Sequence, residues 1–252
     1  IRDSPRPGLI YSASDLVRAA ECPWATLHLL DEKLGRLPRF EAPEDPMLER
    51  TSVLGDQHEA AVLEEYRERF GPYDPATGRG VYEIDPARRM DWGTLVDKHG
   101  ESIEALRSGA DVVFQASFFD GRFHGRSDFL VREDDGRYAV YDTKLARHAK
   151  VTALLQLAAY ADQLDNAGIP VSDTVTLVLG NRERASFHVG EFMAVYQERR
   201  DRFEALSRER MAADAEPLDW WQDSVSRCGK CPHCAAEVER HRDVLQVAGM
   251  SM

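Results

Sequence analysis

Between residues 111 and 190 the chain alternates strand-length and helix-length segments in an order that few architectures accommodate. "DVVFQASFF" (111–119), "RFHGRSDFLVRE" (122–133) and "RYAVYDTKL" (137–145) are three consecutive runs rich in β-branched and aromatic residues. Asp120-Gly121 and Asp134-Asp135-Gly136 stand between them, the residue types of hairpin turns. A helical pattern follows in "KVTALLQLAAYADQLDNAG", closed by Gly168 and Pro170, and then come strand patterns at 173–180 and 184–190. Three strands, a helix and two more strands predict an α/β core with a mixed sheet. A charged helix is expected from about Glu191 to Arg210. Upstream, "SASDLVRAAECPWATLHLLDEKLG" reads as a helix capped by Ser12 or Ser14 and restarted at Cys22–Pro23. An amphipathic helix is expected over 49–71, with Val53, Ala60, Leu63 and Phe70 toward the core, and another from Trp92 to Gly109.

The third strand ends unusually, in "YAVYDTKLAR" (138–147). Strand alternation puts Asp142 and Lys144 on the same side, at the C-terminal end of an otherwise apolar strand. Asp128 lies on the neighbouring strand, in register through a short turn. Two carboxylates so placed can share a hard divalent cation, which keeps several waters. A lysine beside it can hold the attacking water and offset charge on a phosphate. Gln156 and Tyr160, four apart on the next helix, share one face, with Leu154, Leu157, Ala158, Ala161 and Leu164 on another. His58, in "LGDQHEAAV", is a further candidate ligand. Arg122, Arg126, Arg147, His148 and Lys150 flank these positions and read either as a phosphate track or as solvated hairpin ends.

The four cysteines are unevenly placed: Cys22 alone, and Cys228, Cys231 and Cys234 together in "RCGKCPHCAAE". That spacing suits metal-bound thiolates better than disulfides. Cys22 is the natural fourth ligand, with His28, His233 and His241 as substitutes. Four thiolates can hold a structural Zn²⁺ or an iron–sulfur cluster. Trp220–Trp221 are expected to pack this segment. The net charge of −12 argues against a protein that coats nucleic acid indiscriminately, yet it is compatible with an acidic metal site beside a local basic stripe. No apolar run approaches the roughly 20 residues that span a bilayer, and no secretory leader pattern is present, so a cytoplasmic location without a membrane partner is expected.

Taken in order, Asp128, Asp142-x-Lys144 and Gln156-x-x-x-Tyr160 resemble the PD-(D/E)xK nuclease core in its RecB-like form, and "LGDQHEA" is similar to that group's Gly-x-x-His motif. One cysteine before the core and three after it resemble the subset with a [4Fe–4S] cluster, the AddB nuclease domain and the CRISPR-adaptation exonucleases. "SASDLVRAAECPWATLHL" is similar to their Ser-x-Ser-x-Leu…Cys-Pro opening. The resemblance runs from about Ser12 to Ala236, although the cysteine triplet is tighter than in many members. It implies a single nuclease domain over 1–252 with a restriction-endonuclease-like core at about 50–210. An iron–sulfur staple would join segments 12–40 and 218–240. It further implies that His58, Asp128, Asp142 and the Thr143 carbonyl bind Mg²⁺ or Mn²⁺. Lys144 would be catalytic, Gln156 and Tyr160 would position substrate or water, and Cys22, Cys228, Cys231 and Cys234 would hold the cluster. The implied activity is hydrolysis of DNA, preferably at single-stranded ends, in repair, recombination or CRISPR adaptation. Such proteins are often fused to or partnered with a helicase, and no Walker-type phosphate loop occurs in this chain. The contrasting reading is a catalytically silent DNA-binding module of a helicase–nuclease assembly.

Overall fold

A computed structural model describes residues 8–41, 46–86, 89–212, 214–222 and 224–246. Its contacts divide the chain into two units, Ile1–Ala13 with Asp45–Tyr196 and Ser14–Glu44 with Gln197–Met252. Most of the expected staple segments, 12–40 and 218–240, therefore fall in the second unit, together with residues 197–210 of the expected core.

The first unit is built on a mixed six-stranded sheet whose spatial order follows the sequence: β1 (Val81–Glu83), β2 (Val112–Phe119), β3 (His124–Arg132), β4 (Tyr138–Lys144), β5 (Val171–Leu179) and β6 (Arg184–His188). β2, β3 and β4 form the expected antiparallel meander. Its first turn is fixed by Asp120 Oδ1, which accepts from the amides of Arg122 (2.8 Å) and Phe123 (2.7 Å), beside Gly121 at φ +92°. β4 and β5 are parallel, which requires a crossover, and α5 (Val151–Asn166) supplies it while packing on both strands. A second parallel pair joins β1 to β2 through α4 (Trp92–Ser108). Asp91 caps α4 by accepting from the Thr94 amide at 2.9 Å, and Gly109 ends it in the left-handed conformation. The short β1 was not expected from the sequence.

The preceding helix, α3 (Pro46–Phe70), packs against β1 and β4. Its buried stripe is His58, Val62, Leu63 and Tyr66, packed with Val112, Phe129 and Val178. Val53 and Ala60, expected in the core, are exposed. Val53 lies nine residues from Val62, about 180° around the helix, and Ala60 lies about 200° from it, so the stripe that buries Val62 must expose both. On α5 the expected Leu157, Ala158, Ala161 and Leu164 are buried, whereas Leu154 is only half-buried and Leu155 takes the core position.

One strand pair departs from simple alternation. The β2–β3 register runs from Phe114↔Phe129 to Ala116↔Ser127 without pairing Gln115 to Asp128. Gln115 has φ +57°, a strained region for a residue with a side chain. On one side of this break Phe114 and Phe129 pack with each other and Phe129 with Tyr66 of α3. On the other, Phe118 and Gly125 meet Tyr160 of α5. The strands thus change face at Gln115 and Asp128.

The second unit contains most of α1 (Ala13–Glu21), α2 (Pro23–Lys33), most of α6 (Met193–Arg210) and α7 (Pro232–His241). The expected break at Cys22–Pro23 is present. Cys22 caps α2 with its sulfur accepting from the Ala25 amide at 3.4 Å, and Pro23 occupies the first turn, where its missing N–H costs nothing. Trp24 and Trp220 meet edge to face at 5.1 Å in a cluster with Leu27, Leu218, Val225 and Val238. Each indole N–H is satisfied, Trp24 by the Asp219 carbonyl and Trp220 by Asp243. Trp221, by contrast, is exposed. The fully buried Asp31 is neutralised by Arg210 and Arg36 and also accepts from the Leu218 amide, as a buried charge requires. No helix among the described residues is long and apolar enough to cross a membrane.

Candidate active site and thiolate centre

At the exit of β4, Lys144 Nζ lies 2.6 Å from Asp142 Oδ2, so the two do share a side of the strand. Asp142 is 1% exposed, whereas the Lys144 side chain is 36% exposed: the acid is sealed and its lysine reaches toward solvent. Among the described residues neither Asp142 oxygen accepts a hydrogen bond in good geometry, which leaves the ammonium as its compensation. Burial, then the Asp128 charge, push the Asp142 carboxyl up to about 7, with Lys144 pulling the other way. Burial alone would lower the Lys144 pKa, but Asp142, with Asp128 and Glu59 behind it, outweighs that and the ammonium is held above its ordinary value.

Asp128 is placed by the fork between β3 and β4. Their backbone pairing ends at Phe129↔Tyr141, and beyond it Asp128 Oδ2 accepts from both the Thr143 amide and the Thr143 hydroxyl, each at 2.8 Å. A side chain takes over the ladder and is thereby fixed, with its second oxygen uncommitted to Thr143. Glu59 joins the group from α3. It accepts from the side-chain Nε2 of Gln115, and burial followed by the Asp128 charge pushes it up to about 7. Sequence reasoning missed Glu59; its one signal was its place beside His58. His58 is buried, its Nε2 3.1 Å from the Val178 carbonyl. Donation to that carbonyl leaves Nδ1 with the lone pair, the arrangement of a metal-ligating histidine.

Asp128 and Glu59 raise the Asp142 pKa, and Asp128 raises that of Glu59, so the site carries more negative charge than its surroundings neutralise, and a sealed carboxylate whose charged neighbour is Lys144 fits a cation. No three of His58, Glu59, Asp128 and Asp142 have ligand atoms all within 4.8 Å of one another, so they border a site without closing on a point.

Gln156 and Tyr160 lie on α5 as expected, Gln156 half-buried and Tyr160 4% exposed. Tyr160 packs so closely on Gly125 that a Cβ there would sit 2.8 Å from its ring. Its phenol is held well above the ordinary value, by burial first and also by the Asp142 and Asp128 charges, while Gln156 opposes this by hydrogen bonding. Arg122, Arg126, Arg147, His148 and Lys150 are all exposed. Arg126, two residues before Asp128, also lines a cavity of about 310 Å³ with Lys98, Ser117 and His124.

In the second unit the sequence-predicted thiolates do converge. The sulfurs of Cys22, Cys228, Cys231 and Cys234 all lie within 4.8 Å of one another, with Cys22–Cys234 at 3.5 Å and Cys228–Cys234 at 4.0 Å. Cys22 and Cys234 are buried. The hydrogen bond shared with Cys234 pulls the Cys22 pKa down to about 5, while burial pushes Cys231 up to about 11. The helix α7 that carries Cys234 was not expected; Cys231 at its cap and Pro232 in its first turn were the available signal. Around one tetrahedral ion with metal–sulfur bonds near 2.3 Å, sulfurs stand about 3.8 Å apart, close to the separations found.

A family model of the PD-(D/E)XK nuclease superfamily matches residues 11–236. No curated protein matches this chain.

Proposed function

The chain belongs to the PD-(D/E)XK nuclease superfamily, and we propose that it is a metal-dependent deoxyribonuclease acting as an exonuclease on single-stranded ends. The mixed sheet with flanking helices is that superfamily's restriction-endonuclease-like fold. The observation that carries the proposal is Asp142: a sealed carboxylate with no hydrogen-bond donor in good geometry among the described residues, beside Lys144 and within the field of Asp128 and Glu59. A module that only bound DNA would gain nothing from ionising that acid, whereas a nuclease needs it.

His58, Asp128, Asp142 and the Thr143 carbonyl are the proposed ligands of Mg²⁺ or Mn²⁺, and Glu59 is added to them. When bound, the cation supplies Lewis-acid polarisation of the phosphate and a water of lowered pKa. Lys144 holds the attacking water and offsets charge on the phosphate as it becomes pentavalent. Thr143 keeps Asp128 oriented, and Gln115 does the same for Glu59. Gln156, within reach of the Tyr160 hydroxyl, positions substrate or water. The exposed Arg126 and its neighbours form the phosphate track that an acidic protein needs locally. The biological setting proposed is DNA repair, recombination or CRISPR adaptation in the cytoplasm, with a partner or fused helicase.

The four-thiolate centre is read as a structural [4Fe–4S] cluster, because one cysteine precedes the core and three follow it. The sulfur separations favour a second reading, a single Zn²⁺, since a cubane with one iron per thiolate holds its sulfurs further apart. Iron and zinc content of protein purified without oxygen decides between them. The nuclease reading is tested with linear and circular single-stranded DNA in Mn²⁺. Loss of the linear form alone supports an exonuclease, cleavage of both redirects the reading to an endonuclease, and cleavage of neither favours the silent binding module.

A further inference from the structure

Besides the four cysteines, the described residues contain one other group whose potential ligand atoms lie within 4.8 Å of one another: His28, Glu32 and His233. His28 and Glu32 stand one turn apart on α2, with Nδ1 2.9 Å from Oε1. His233 enters from the first turn of α7 and places Nε2 3.3 Å from the same oxygen. The Glu32 side chain is 4% exposed, and those of His28 and His233 are 14% and 19% exposed. The rings are held in place by packing: Trp24 lies 4.8 Å from His28, and Phe40 lies 4.5 Å from His233.

An imidazole nitrogen facing a carboxylate is favourable only if it carries a proton in line or shares a cation with it. Among the described residues the buried His233 Nε2 makes no hydrogen bond in good geometry, although it stands 3.3 Å from Glu32, so a simple hydrogen-bonded triad leaves it poorly satisfied. Donor atoms around a tetrahedral ion with bonds of about 2.0–2.2 Å stand about 3.3–3.6 Å apart; the His233–Glu32 separation of 3.3 Å already matches, and the His28–Glu32 separation of 2.9 Å is a few tenths shorter.

We propose that His28, Glu32 and His233 form a further metal site, for a divalent transition metal, with Zn²⁺ as the best match to two imidazoles and a carboxylate. Three protein ligands leave a fourth position for water. The ion pins α2 to α7, helices whose N-terminal caps are Cys22 and Cys231. The site therefore braces both segments that present the thiolates. It does not depend on the nuclease reading.

The test is a competition titration with Zn²⁺ against a chromogenic chelator, on the intact chain with its thiolate centre already filled and its metal content counted. The wild type is expected to take up one further equivalent besides any held at Asp128 and Asp142. Glu32→Gln and His28→Asn should each weaken that uptake by at least roughly a hundredfold while leaving the thiolate-centre metal unchanged. No such further equivalent in the wild type, or an affinity in both variants equal to the wild type's, overturns the proposal. Loss of both metals together also overturns it, because the residues would then act only through the thiolates. Should circular dichroism show Glu32→Gln to be unfolded, His28→Asn decides, since it leaves the Glu32–His233 contact in place.

Discussion

Asp142→Asn separates the cost of the site from its use. A carboxyl that titrates near 7 in the native state instead of at its ordinary 3.8 keeps its proton on folding where the unfolded chain has released it. The native state therefore binds more protons across that interval, and stability falls as pH rises through it. Each pH unit costs about 1.4 kcal/mol, so the metal-free protein carries a penalty of about 4 kcal/mol above pH 7 that is absent below pH 4. Asparagine has the same shape and no proton to lose. Its replacement leaves the Lys144 ammonium, about a third exposed, without its partner, at a cost of about 1 kcal/mol. The expected result is a net stabilisation of about 2–3 kcal/mol at pH 8 that disappears by pH 5. Urea unfolding in EDTA across that range, followed by far-ultraviolet circular dichroism, measures it. A difference that does not change with pH would refute the assignment of the raised pKa to Asp142.

Three further outcomes follow from the same contacts. Asp128→Asn keeps an oxygen for the Thr143 amide and hydroxyl, so it should lower cleavage by at least roughly a hundredfold with little change in unfolding midpoint. Gly125→Ala drives a methyl into the Tyr160 and Phe123 rings, and its cost of about 1–3 kcal/mol should appear in thermal unfolding together with reduced cleavage, because Tyr160 must shift. Cys22→Ser removes a buried sulfur of the four-cysteine group; elemental analysis should show the metal proposed there lost, and near-ultraviolet circular dichroism should show the Trp24–Trp220 packing disturbed.

The features that could be read from the sequence are those determined by neighbours along the chain. The meander from β2 to β4 was legible because Asp-Gly turns punctuate alternating runs, and the shared side of Asp142 and Lys144 followed from strand geometry alone. The helix break at Cys22–Pro23 was legible for the same local reason. Features set by tertiary packing were not. The three residues of β1 carry too little periodicity, and their strand exists because β2 offers a parallel partner. The change of face at Gln115 has no glycine to announce it; it shows only when Phe114 and Phe118 are found in different cores. Glu59 acquires meaning through Asp128 and Gln115, which are distant in sequence. Val53 and Ala60 were misplaced because a long helix offers several weakly apolar stripes, and the sheet selects one of them.

The most direct measurement of the central claim is single-turnover cleavage of end-labelled single-stranded DNA by the wild type and by Lys144→Ala, each with Mn²⁺ and with EDTA. The account predicts cleavage by the wild type in Mn²⁺ only, and a loss of at least roughly a hundredfold in the variant while its circular dichroism is unchanged. Equal cleavage by a folded Lys144→Ala protein would place the chemistry elsewhere and contradict the account.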